Sequence, residues 1–453
     1  RATKNVSENL LEIAQAISFN EPNSFQKRLF IDISELVERD AKTGIQRVVR
    51  EILKELLTNP PKHFKVEPVY ASLEHEYRYA RKFTLDFLGH VDSLPQEDTL
   101  IEPKPGDIFI GLDLQPSVIP HHHAYFEKLY MIGVQVFFVL YDLIPILRPH
   151  YFHDSADTIF LRWLDTISTA NGILCISRSV AGELKNLLIQ QNKEYKRNFH
   201  IGYFHLGSNI SIKPTSNINS NKDSATLENI SSQTVIDHSL VGSGERGVGR
   251  RGNLETDLIP QTNILMVGTI EPRKGHKQAL DAFEKLWGND QAVNLIIAGK
   301  QGWMSEDIAK KIKQHPQINK KLFWFNSASD ETLLRLYDLA DGVLIASEAE
   351  GFGLPLVEAA QHNCPILARD IPVFREIAGE HARYFPDDTT RDTLATALDQ
   401  WLTELANHTA PRSSDMPYLT WAESTQQLLS LVFDKHSPRW LDHFSPIDRS
   451  IVT

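Results

Sequence analysis

The stretch GVLIASEAEGFGLPLVEAA, residues 342–360, joins an apolar run to a glycine-containing turn and a helix start. The first six residues are apolar at nearly every position, as expected for a strand that is buried on both faces. Two glycines then interrupt the pattern, and Pro355 presets the backbone for a first helical turn. The stretch therefore predicts a strand, a loop and a helix, with two carboxylates, Glu350 and Glu358, beside the loop.

The same alternation of apolar runs and helical periodicity continues on both sides of this stretch. Strand-like runs include RLFIDIS, VQVFFVLYDLIP and GILCIS in the first half and TNILMVG, VNLIIAG and KLFWF in the second. Strands of this kind, separated by helices, predict parallel sheets covered on both faces. A chain of 453 residues is long enough for two domains. The predicted fold is α/β, with two Rossmann-like doubly wound domains facing each other across a cleft.

Residues 211–258 separate the two halves. They are rich in Ser, Asn, Gly and charge, which is typical of an insertion or a flexible linker. The predicted division is an N-terminal helix and connector at 1–27, a first domain at 28–210, this linker, and a second domain with C-terminal helices at 259–453. Because the sequence starts at Arg1 without a signal peptide, we expect either a removed tag or a segment of a longer polypeptide.

Composition excludes several classes of function. A net charge of −11 argues against a general nucleic-acid binder, and no apolar run is long enough to span a bilayer. The two cysteines lie in apolar runs and predict no disulfide framework, so a cytoplasmic location is expected. Basic residues on the predicted helix 43–57 would also allow peripheral contact with the inner face of the cell membrane, although a solvated helix face explains them as well.

Two other motifs are weak. GSGERG and GVGRRG, within residues 242–252, match G-x-G-x-x-G but follow no clear strand and open no periodic helix, so we predict a flexible loop instead of a dinucleotide site. Three consecutive histidines at 121–123 cannot easily share one face, and no cysteine or carboxylate is spaced to complete a metal site. The sequence predicts no bound metal.

A basic pair lies on a predicted strand-to-helix loop. In MVGTIEPRKGHKQAL the strand ends at Gly268 and a helix begins near His276, which places Arg273 and Lys274 at the carboxyl edge of the sheet. Amide groups and the dipole at a helix N-terminus favour anions, and a guanidinium can bind phosphate oxygens in bidentate fashion. A diphosphate site is one interpretation; a solvated Arg-Lys pair that caps the loop is the other.

The two glutamates have different interpretations. Carboxylates accept hydrogen bonds from vicinal hydroxyls and so suit a ribose or a hexose. Glu358 is expected within the first turn of its helix, where it could simply complement the helix dipole, a contribution of about 0.3–1 kcal/mol. Glu350 precedes the helix, so the dipole does not account for it. We therefore expect a ligand to explain Glu350.

Together, GTIEPRKG and SEAEGFGLPLVEA resemble the retaining glycosyltransferases of the GT-B fold, family 4, with their Glu-x7-Glu signature. The resemblance covers most of the second half of the chain. It implies that Arg273 and Lys274 bind the diphosphate of a nucleotide sugar, that Glu350 contacts the donor sugar near its anomeric centre, and that Glu358 binds the ribose. It also implies a metal-independent enzyme without a cofactor. The remaining donor-binding residues implied by the resemblance are Gly268, Phe352, Gly353 and Leu354.

The first domain carries softer signals for the acceptor. DAKTGIQRVVRE resembles the family's N-terminal glycine loop and helix, with Gly44 and Arg47 as acceptor or phosphate-loop residues, although an exposed basic face explains Arg47 equally. In VLYDLIPI, which resembles the family's His-Asp pair in pattern, Tyr141 replaces the histidine and Asp142 keeps the aspartate. This departure removes any role that needs an imidazole. Asp142 stays a candidate catalytic acid or base, or an Asp that caps a loop.

RDAKTGIQRVVR and YDLIPI together resemble bacterial O-antigen and polysaccharide mannosyl- or rhamnosyltransferases. This resemblance implies retaining transfer of a hexose, mannose before rhamnose and GDP-mannose as the favoured donor, to a hydroxyl of a surface polysaccharide or lipid-linked glycan such as lipopolysaccharide O-antigen. Two alternatives stay open. One is an inactive nucleotide-sugar-binding scaffold within a larger polymerising enzyme. The other is a different GT-B enzyme, such as a sugar-nucleotide epimerase.

Overall fold

The computed structural model describes residues 26–40, 43–89, 97–191, 199–208, 226–230 and 261–441. The predicted N-terminal helix and the two G-x-G-x-x-G matches lie outside these residues, as does most of the predicted linker. The chain divides into two compact units. Unit 1 comprises Arg1–Ile146, Ser155–Gly207 and Leu419–Thr453, and unit 2 comprises Leu147–Asp154 and Ser208–Tyr418.

Strands and helices alternate along the described residues. The strands are β1 Lys27–Asp32, β2 Phe64–Tyr70, β3 Arg78–Tyr79, β4 Ile108–Gly111, β5 Gln135–Leu140, β6 Gly172–Cys175, β7 His200–Tyr203, β8 Thr262–Val267, β9 Val293–Ala298, β10 Leu322–Phe325, β11 Gly342–Ile345, β12 Ile366–Arg369, β13 Arg383–Phe385 and β14 Trp440–Leu441. The α-helices are α1 Ser34–Glu38, α2 Gly44–Thr58, α3 Arg81–Phe87, α4 Val118–His121, α5 His123–Met131, α6 Ile144–Leu147, α7 Ala156–Ile167, α8 Arg178–Gln191, α9 His276–Gly288, α10 Glu306–Lys313, α11 Asp330–Leu339, α12 Leu354–Gln361, α13 Pro372–Ala378, α14 Arg391–Ala406 and α15 Trp421–Phe433.

The sheet of unit 2 has the order β10-β9-β8-β11-β12-β13, and its strands pair in parallel. Counted from β8, this is the order 3-2-1-4-5-6 that is typical of dinucleotide-binding folds. The strand order reverses between β8 and β11. Because ligands of such sheets bind beyond the carboxyl ends of the strands at this reversal, the loops that follow β8 and β11 are the expected site of unit 2.

Close packing holds β8 and β11 in place. Their residues are almost fully buried, and Trp401 of α14 covers the sheet with no exposure of its own. A side chain at Gly342, the first residue of β11, would lie 2.4 Å from the Trp401 ring, so only glycine fits there. Apolar strands, large aromatic side chains and a glycine thus fix the backbone that carries the loops.

The sheet of unit 1 has the order β14-β7-β6-β5-β4-β1-β2-β3. β3 and β14 run antiparallel to their neighbours, and the other pairs are parallel. Here the order reverses between β1 and β4. The predicted pair of Rossmann-like doubly wound domains is therefore confirmed for each unit.

The composition of the units differs from the consecutive division predicted from the sequence in two places. Leu147–Asp154 lies within the stretch assigned to the first domain but packs with unit 2. Helix α15 and strand β14 lie within the stretch assigned to the second domain but belong to unit 1, where β14 pairs with β7. Hydrophobic periodicity shows which face of an element is buried, but not which other element buries it. It therefore does not reveal that a segment packs with a different core from its sequence neighbours.

Two buried carboxylates lie where the strand order of unit 1 reverses. Asp32 ends β1 and accepts hydrogen bonds from the Ser34 hydroxyl and, at 2.8 Å, from the Tyr77 hydroxyl. Asp113 follows β4 and accepts one from the Leu36 amide at 2.7 Å. Burial raises the pKa of Asp32 to about 6 and, together with neighbouring carboxylates, the pKa of Asp113 to about 7.

These shifts predict how the stability of unit 1 depends on pH. Both pKa values are higher in the folded chain than the ordinary value of 3.8. At a pH between the ordinary and the folded-state pKa, the folded state therefore binds more protons than the unfolded state. The stabilising contribution is present below about pH 4 and is lost as the pH rises through about 7. Asp113→Asn cannot release this proton, so its thermal unfolding midpoint should fall less than that of the wild type over this window.

The matched control is Asp86→Asn, which changes an exposed aspartate on α3 of the same unit. The control should keep the wild-type pH dependence. Equal slopes for Asp113→Asn and the wild type would contradict the assignment.

Candidate active site

The loops that follow β8 and β11 lie side by side in unit 2. Their strands pair directly, with Gly342 opposite Ile264 and Val343 opposite Leu265. The structure therefore brings the basic pair of one loop to the first glutamate of the other, although 76 positions separate Lys274 from Glu350 in the chain.

Arg273, Lys274, Glu350 and Glu271 form an ion quartet. Arg273 Nη1 lies 3.0 Å from Glu350 Oε2, and Arg273 Nε lies 3.2 Å from Glu271 Oε2. Lys274 Nζ donates to Glu350 Oε1. The four side chains are only 6 to 15% exposed. The quartet thus holds two positive charges against two negative charges in a nearly enclosed position, which excludes the alternative of a solvated Arg-Lys pair.

The carboxylate of Glu350 is ionised in this environment. Burial alone would raise its pKa, but the charges of Lys274 and Arg273 outweigh burial and lower the pKa to about 2. Hydrogen bonds from Lys274 and from Ser347 act in the same direction. Glu350 therefore carries a full negative charge at neutral pH and serves as an acceptor only.

Glycines allow the two loops to approach. Gly275 precedes α9 with a φ of 73°, and a side chain there would lie 2.3 Å from the carbonyl oxygen of Ala346 in the other loop. Gly268 has a φ of 142° and lies beside Lys274, since a side chain on it would be 3.8 Å from Lys274 Cε. Backbone contact at Gly275 thus places the N-terminus of α9 next to the quartet.

The turn before α12 follows the predicted pattern. Gly353 is the N-cap with a φ of 96°, Leu354 is the first helical residue, and Pro355 is in the first turn. Phe352 is 4% exposed, so its side chain packs inside unit 2 and only its backbone could contact a ligand. The donor-binding role of Gly268, Phe352, Gly353 and Leu354 stays a prediction.

Glu358 lies deeper in its helix than its sequence position suggests. It is the fifth residue of α12, whose first turn holds no acidic residue, so the expected position in the first turn is wrong and the helix-dipole alternative is excluded with it. Its carboxylate is 3% exposed and accepts a hydrogen bond of 2.7 Å from the Tyr337 hydroxyl of α11. Tyr337 in turn stacks on His362, with ring centroids 4.9 Å apart. The Glu358 carboxylate is therefore buried and held by a side chain of α11.

His276, the first residue of α9, is a buried imidazole beside the quartet. It is 3% exposed, and neither of its ring nitrogens has a hydrogen-bond partner among the described residues. Burial, with a further contribution from the charge of Lys274, lowers its pKa to about 3. His276 is thus neutral and adds no charge to the site.

The residues predicted in unit 1 are described by themselves. Gly44 begins α2 after a capping box formed by Thr43 and Gln46, and Arg47 is half-buried on the same helix. Asp142 Oδ1 accepts a hydrogen bond of 3.0 Å from the Ile144 amide, which is the loop-capping role considered for it. An acceptor contact of these residues stays a prediction.

Tyr141 stands where the resembling family has a histidine. Its ring is buried, and its hydroxyl donates to the carbonyl of Leu112 at 2.8 Å. The residue therefore joins β5 to the loop after β4. This structural hydrogen bond explains the tyrosine at this position, without any role that needs an imidazole.

Sequence reasoning missed four residues of this site. Glu271, Gly275, His276 and Ser347 all lie inside or next to the motifs that it singled out. The carboxylate of Glu271 between a strand and an Arg-Lys pair was a usable signal for a counter-ion. The roles of Gly275 and Ser347 depend on which loop packs against which, and the sequence does not show that.

The described ranges lack two further kinds of feature. Within them, no three His, Cys, Asp or Glu side chains form a group that could hold a metal ion. None of the helices in those ranges is long and apolar enough to cross a membrane.

Residues 259–412 match the family model described as Glycosyl transferases group 1. This part of the chain is similar to the group 1 glycosyltransferases. This match covers both loops of the candidate site, from the strand before Arg273 to beyond Glu358. The predicted family resemblance is thereby confirmed for the second half of the chain.

Curated relatives extend the similarity to the first half. A serotype-specific mannosyltransferase WbdA of Escherichia coli is 36% identical over 425 residues, which are 92% of this chain and 48% of the relative. The chain thus spans about half the length of this relative. An O-antigen chain mannosyltransferase B of Escherichia coli is 27% identical over 180 residues, covering 38% of this chain and 46% of the relative.

Solved structures share the fold over most of the chain. The Anabaena protein HepE in complex with UDP and glucose superposes with a TM-score of 0.57 at 15% identity, covering 90% of this chain and 99% of HepE. Sucrose-phosphate synthase from Thermosynechococcus elongatus gives 0.56 at 14% identity, covering 90% of this chain and 98% of that protein. These similarities confirm the predicted GT-B fold class.

The quartet predicts an unusual effect of removing Glu350. A nucleoside diphosphate that binds Arg273 and Lys274 must compete with the Glu350 carboxylate for them. Glu350→Gln should therefore bind GDP about 10-fold more tightly than the wild type in a calorimetric titration, because hydrogen bonds to charged groups contribute about 1.5–3 kcal/mol. Turnover should be lost in the same variant.

Glu358→Gln is the control, because its carboxylate accepts a hydrogen bond from the Tyr337 hydroxyl of α11. This variant should not gain affinity for GDP. If Glu350→Gln bound GDP no more tightly than the wild type, Glu350 would not be a counter-ion that the ligand displaces.

Gly275 gives a second test. Gly275→Ala forces a left-handed backbone on alanine and a contact with the Ala346 carbonyl, so the variant should lose about 2 kcal/mol of unfolding free energy and most of its nucleotide binding. Gly288→Ala, at the other end of α9, meets no atom within 4 Å and should stay within about 1 kcal/mol of the wild type. Chemical denaturation checks both. Equal stability of the two variants would rule out the close approach at Gly275.

Proposed function

We propose that the chain is a retaining mannosyltransferase that acts in the synthesis of an O-antigen or a related surface polysaccharide. It transfers mannose from a nucleotide diphosphate sugar, with GDP-mannose as the favoured donor, to a hydroxyl of a glycan or lipid-linked glycan. The observation that carries the proposal is the 36% identity to the Escherichia coli mannosyltransferase over 92% of this chain. The ion quartet where the strand order of unit 2 reverses supports it.

Arg273 and Lys274 have the chemistry to stabilise a departing diphosphate. Both are cations next to the N-terminus of α9, and both are nearly enclosed, so their charges act with little screening by water. In the proposed reaction the acceptor oxygen forms its bond to the anomeric carbon as the bond to the diphosphate oxygen breaks. The acceptor proton passes to that departing oxygen on the same face, which retains the configuration.

The two glutamates bind different parts of the donor, one the sugar and the other the ribose. Once a diphosphate occupies the cations, the Glu350 carboxylate becomes available to the sugar hydroxyls near the anomeric centre. In this proposal Glu358, whose carboxylate accepts a hydrogen bond from Tyr337, also accepts hydrogen bonds from the ribose. Asp142 orients the acceptor or accepts its proton if the reaction needs a base from unit 1.

The test is a panel of donors with the purified chain. GDP-mannose, dTDP-rhamnose and UDP-glucose are each incubated with and without glycan acceptors, and release of the nucleoside diphosphate is measured. We expect release from GDP-mannose that depends on the acceptor, and an α-linked product by NMR. Arg273→Ala should reduce this release by about 100-fold or more, since one charged donor at a transition state contributes about 2.7–4 kcal/mol.

Arg335→Ala is the matched control, because this arginine pairs with Glu331 on the exposed face of α11. It should keep wild-type activity. Binding of a donor without turnover by any acceptor would favour the inactive scaffold. Turnover of a nucleotide sugar without an acceptor into an isomer would favour the epimerase, and no binding of any donor would contradict the proposal.

A further inference from the structure

Residues Leu147–Asp154, named the strap here, interrupt unit 1 in sequence but belong to unit 2. The strap follows α6 and contains a single 3₁₀ turn, Pro149–Tyr151. It lies only a few positions after Asp142. A segment that packs away from its sequence neighbours must make contacts elsewhere that offset the cost of ordering it. The contacts of the strap therefore indicate its role.

The strap contacts the loop that carries Glu350. The Tyr151 hydroxyl donates a hydrogen bond to Glu348 Oε2. The Glu348 backbone amide donates to the Arg273 carbonyl at 2.8 Å. Tyr151 therefore binds Glu348, the residue that joins the loop after β11 to the loop after β8. Glu348 lies two positions before Glu350.

The strap also contacts the loop that follows β9. The Trp303 indole donates to the Tyr151 carbonyl at 2.9 Å, and the Trp303 ring stacks on Phe152 with centroids 5.7 Å apart. Next to Trp303, the Gly302 amide donates to the Ile270 carbonyl at 3.0 Å. The loop after β9 is thereby joined to the loop after β8.

These hydrogen bonds close a ring. The strap binds the loops after β11 and β9, and each of these binds the loop after β8, which carries Arg273 and Lys274. Tyr151 takes part in two of these hydrogen bonds, one through its hydroxyl and one through its carbonyl. Because the ring is closed, each loop restrains the others and the quartet is held between them.

We propose that Tyr151 is a positioning residue of the donor site, and that the strap sets donor affinity by fixing the loop of Glu350 against the loop of Arg273. This inference rests on the proposed function, since it concerns the same donor. Tyr151 is 9% exposed. Burial raises its pKa above the usual value, and the hydrogen bond to Glu348 raises it further, so the hydroxyl stays protonated and donates at neutral pH.

The experiment compares Tyr151→Phe with the wild type and with Tyr384→Phe. The control also loses a tyrosine hydroxyl in unit 2, but one that donates to the carbonyls of Phe374 and Gly379, outside the three loops and the strap. GDP-mannose, dTDP-rhamnose and UDP-glucose are titrated against each full chain, and KM, kcat and the unfolding midpoint are measured with the donor that binds. Tyr151→Phe should raise KM for the donor about 10-fold and change kcat by less than about 3-fold.

A double-mutant cycle with Glu348→Ala separates positioning from general stability. Each single variant should weaken donor binding about 10-fold, and the double variant should be no weaker than either, because both remove the same hydrogen bond. Trp303→Phe keeps a ring for stacking but removes the indole donor, so it should weaken binding about 3-fold. This variant reports on the ring even if Tyr151→Phe does not fold.

The outcomes separate the two proposals. If the wild type binds no nucleotide sugar, the proposed function fails and this inference fails with it. If the wild type binds a donor but Tyr151→Phe matches Tyr384→Phe, or the cycle is additive, only the inference is overturned. A fall in the unfolding midpoint with an unchanged KM would also overturn it, because the strap would then be purely structural.

Discussion

Arg273 and Glu350 form an ion pair between the loops that follow β8 and β11. These are the two strands between which the strand order of unit 2 reverses. The pair is nearly enclosed, and its charges are balanced by Lys274 and Glu271. A buried ion pair of this kind contributes little net stability, because removing its charges from water costs nearly as much as their attraction returns. Its persistence is better explained by what the cations do when another anion takes the place of Glu350.

The backbone around the quartet is adapted to the same purpose. Gly275 lets the N-terminus of α9 meet the neighbouring loop, and Gly353 turns the chain into α12. Neither position could carry a side chain at its observed φ without strain. The loops are thus ordered by their glycines and by hydrogen bonds among themselves, which keeps the cationic site formed before any ligand arrives.

Much of this could be predicted from the sequence, and the reason is local. β8 and β11 are apolar at nearly every position and α9 has an amphipathic period, and the loops after the two strands carry Arg273, Lys274 and Glu350 at positions that any parallel sheet would place along one edge. The family resemblance then supplied the roles. What the sequence does not encode locally is pairing at a distance: Tyr151 with Glu348, Tyr337 with Glu358, and the membership of α15 in unit 1. Glu358 shows the limit most clearly, since it lies beyond the first helical turn expected for it and its buried carboxylate accepts a hydrogen bond from Tyr337.

The most direct test of this account is a crystal structure of the chain with GDP bound. The account predicts that the diphosphate lies at the N-terminus of α9, that its oxygens contact Arg273 and Lys274, and that at least one of these cations has released Glu350. It also predicts that Glu271 still contacts Arg273, because that pair lies on a single loop. A diphosphate bound elsewhere on unit 2, with the quartet unchanged, would contradict the central claim.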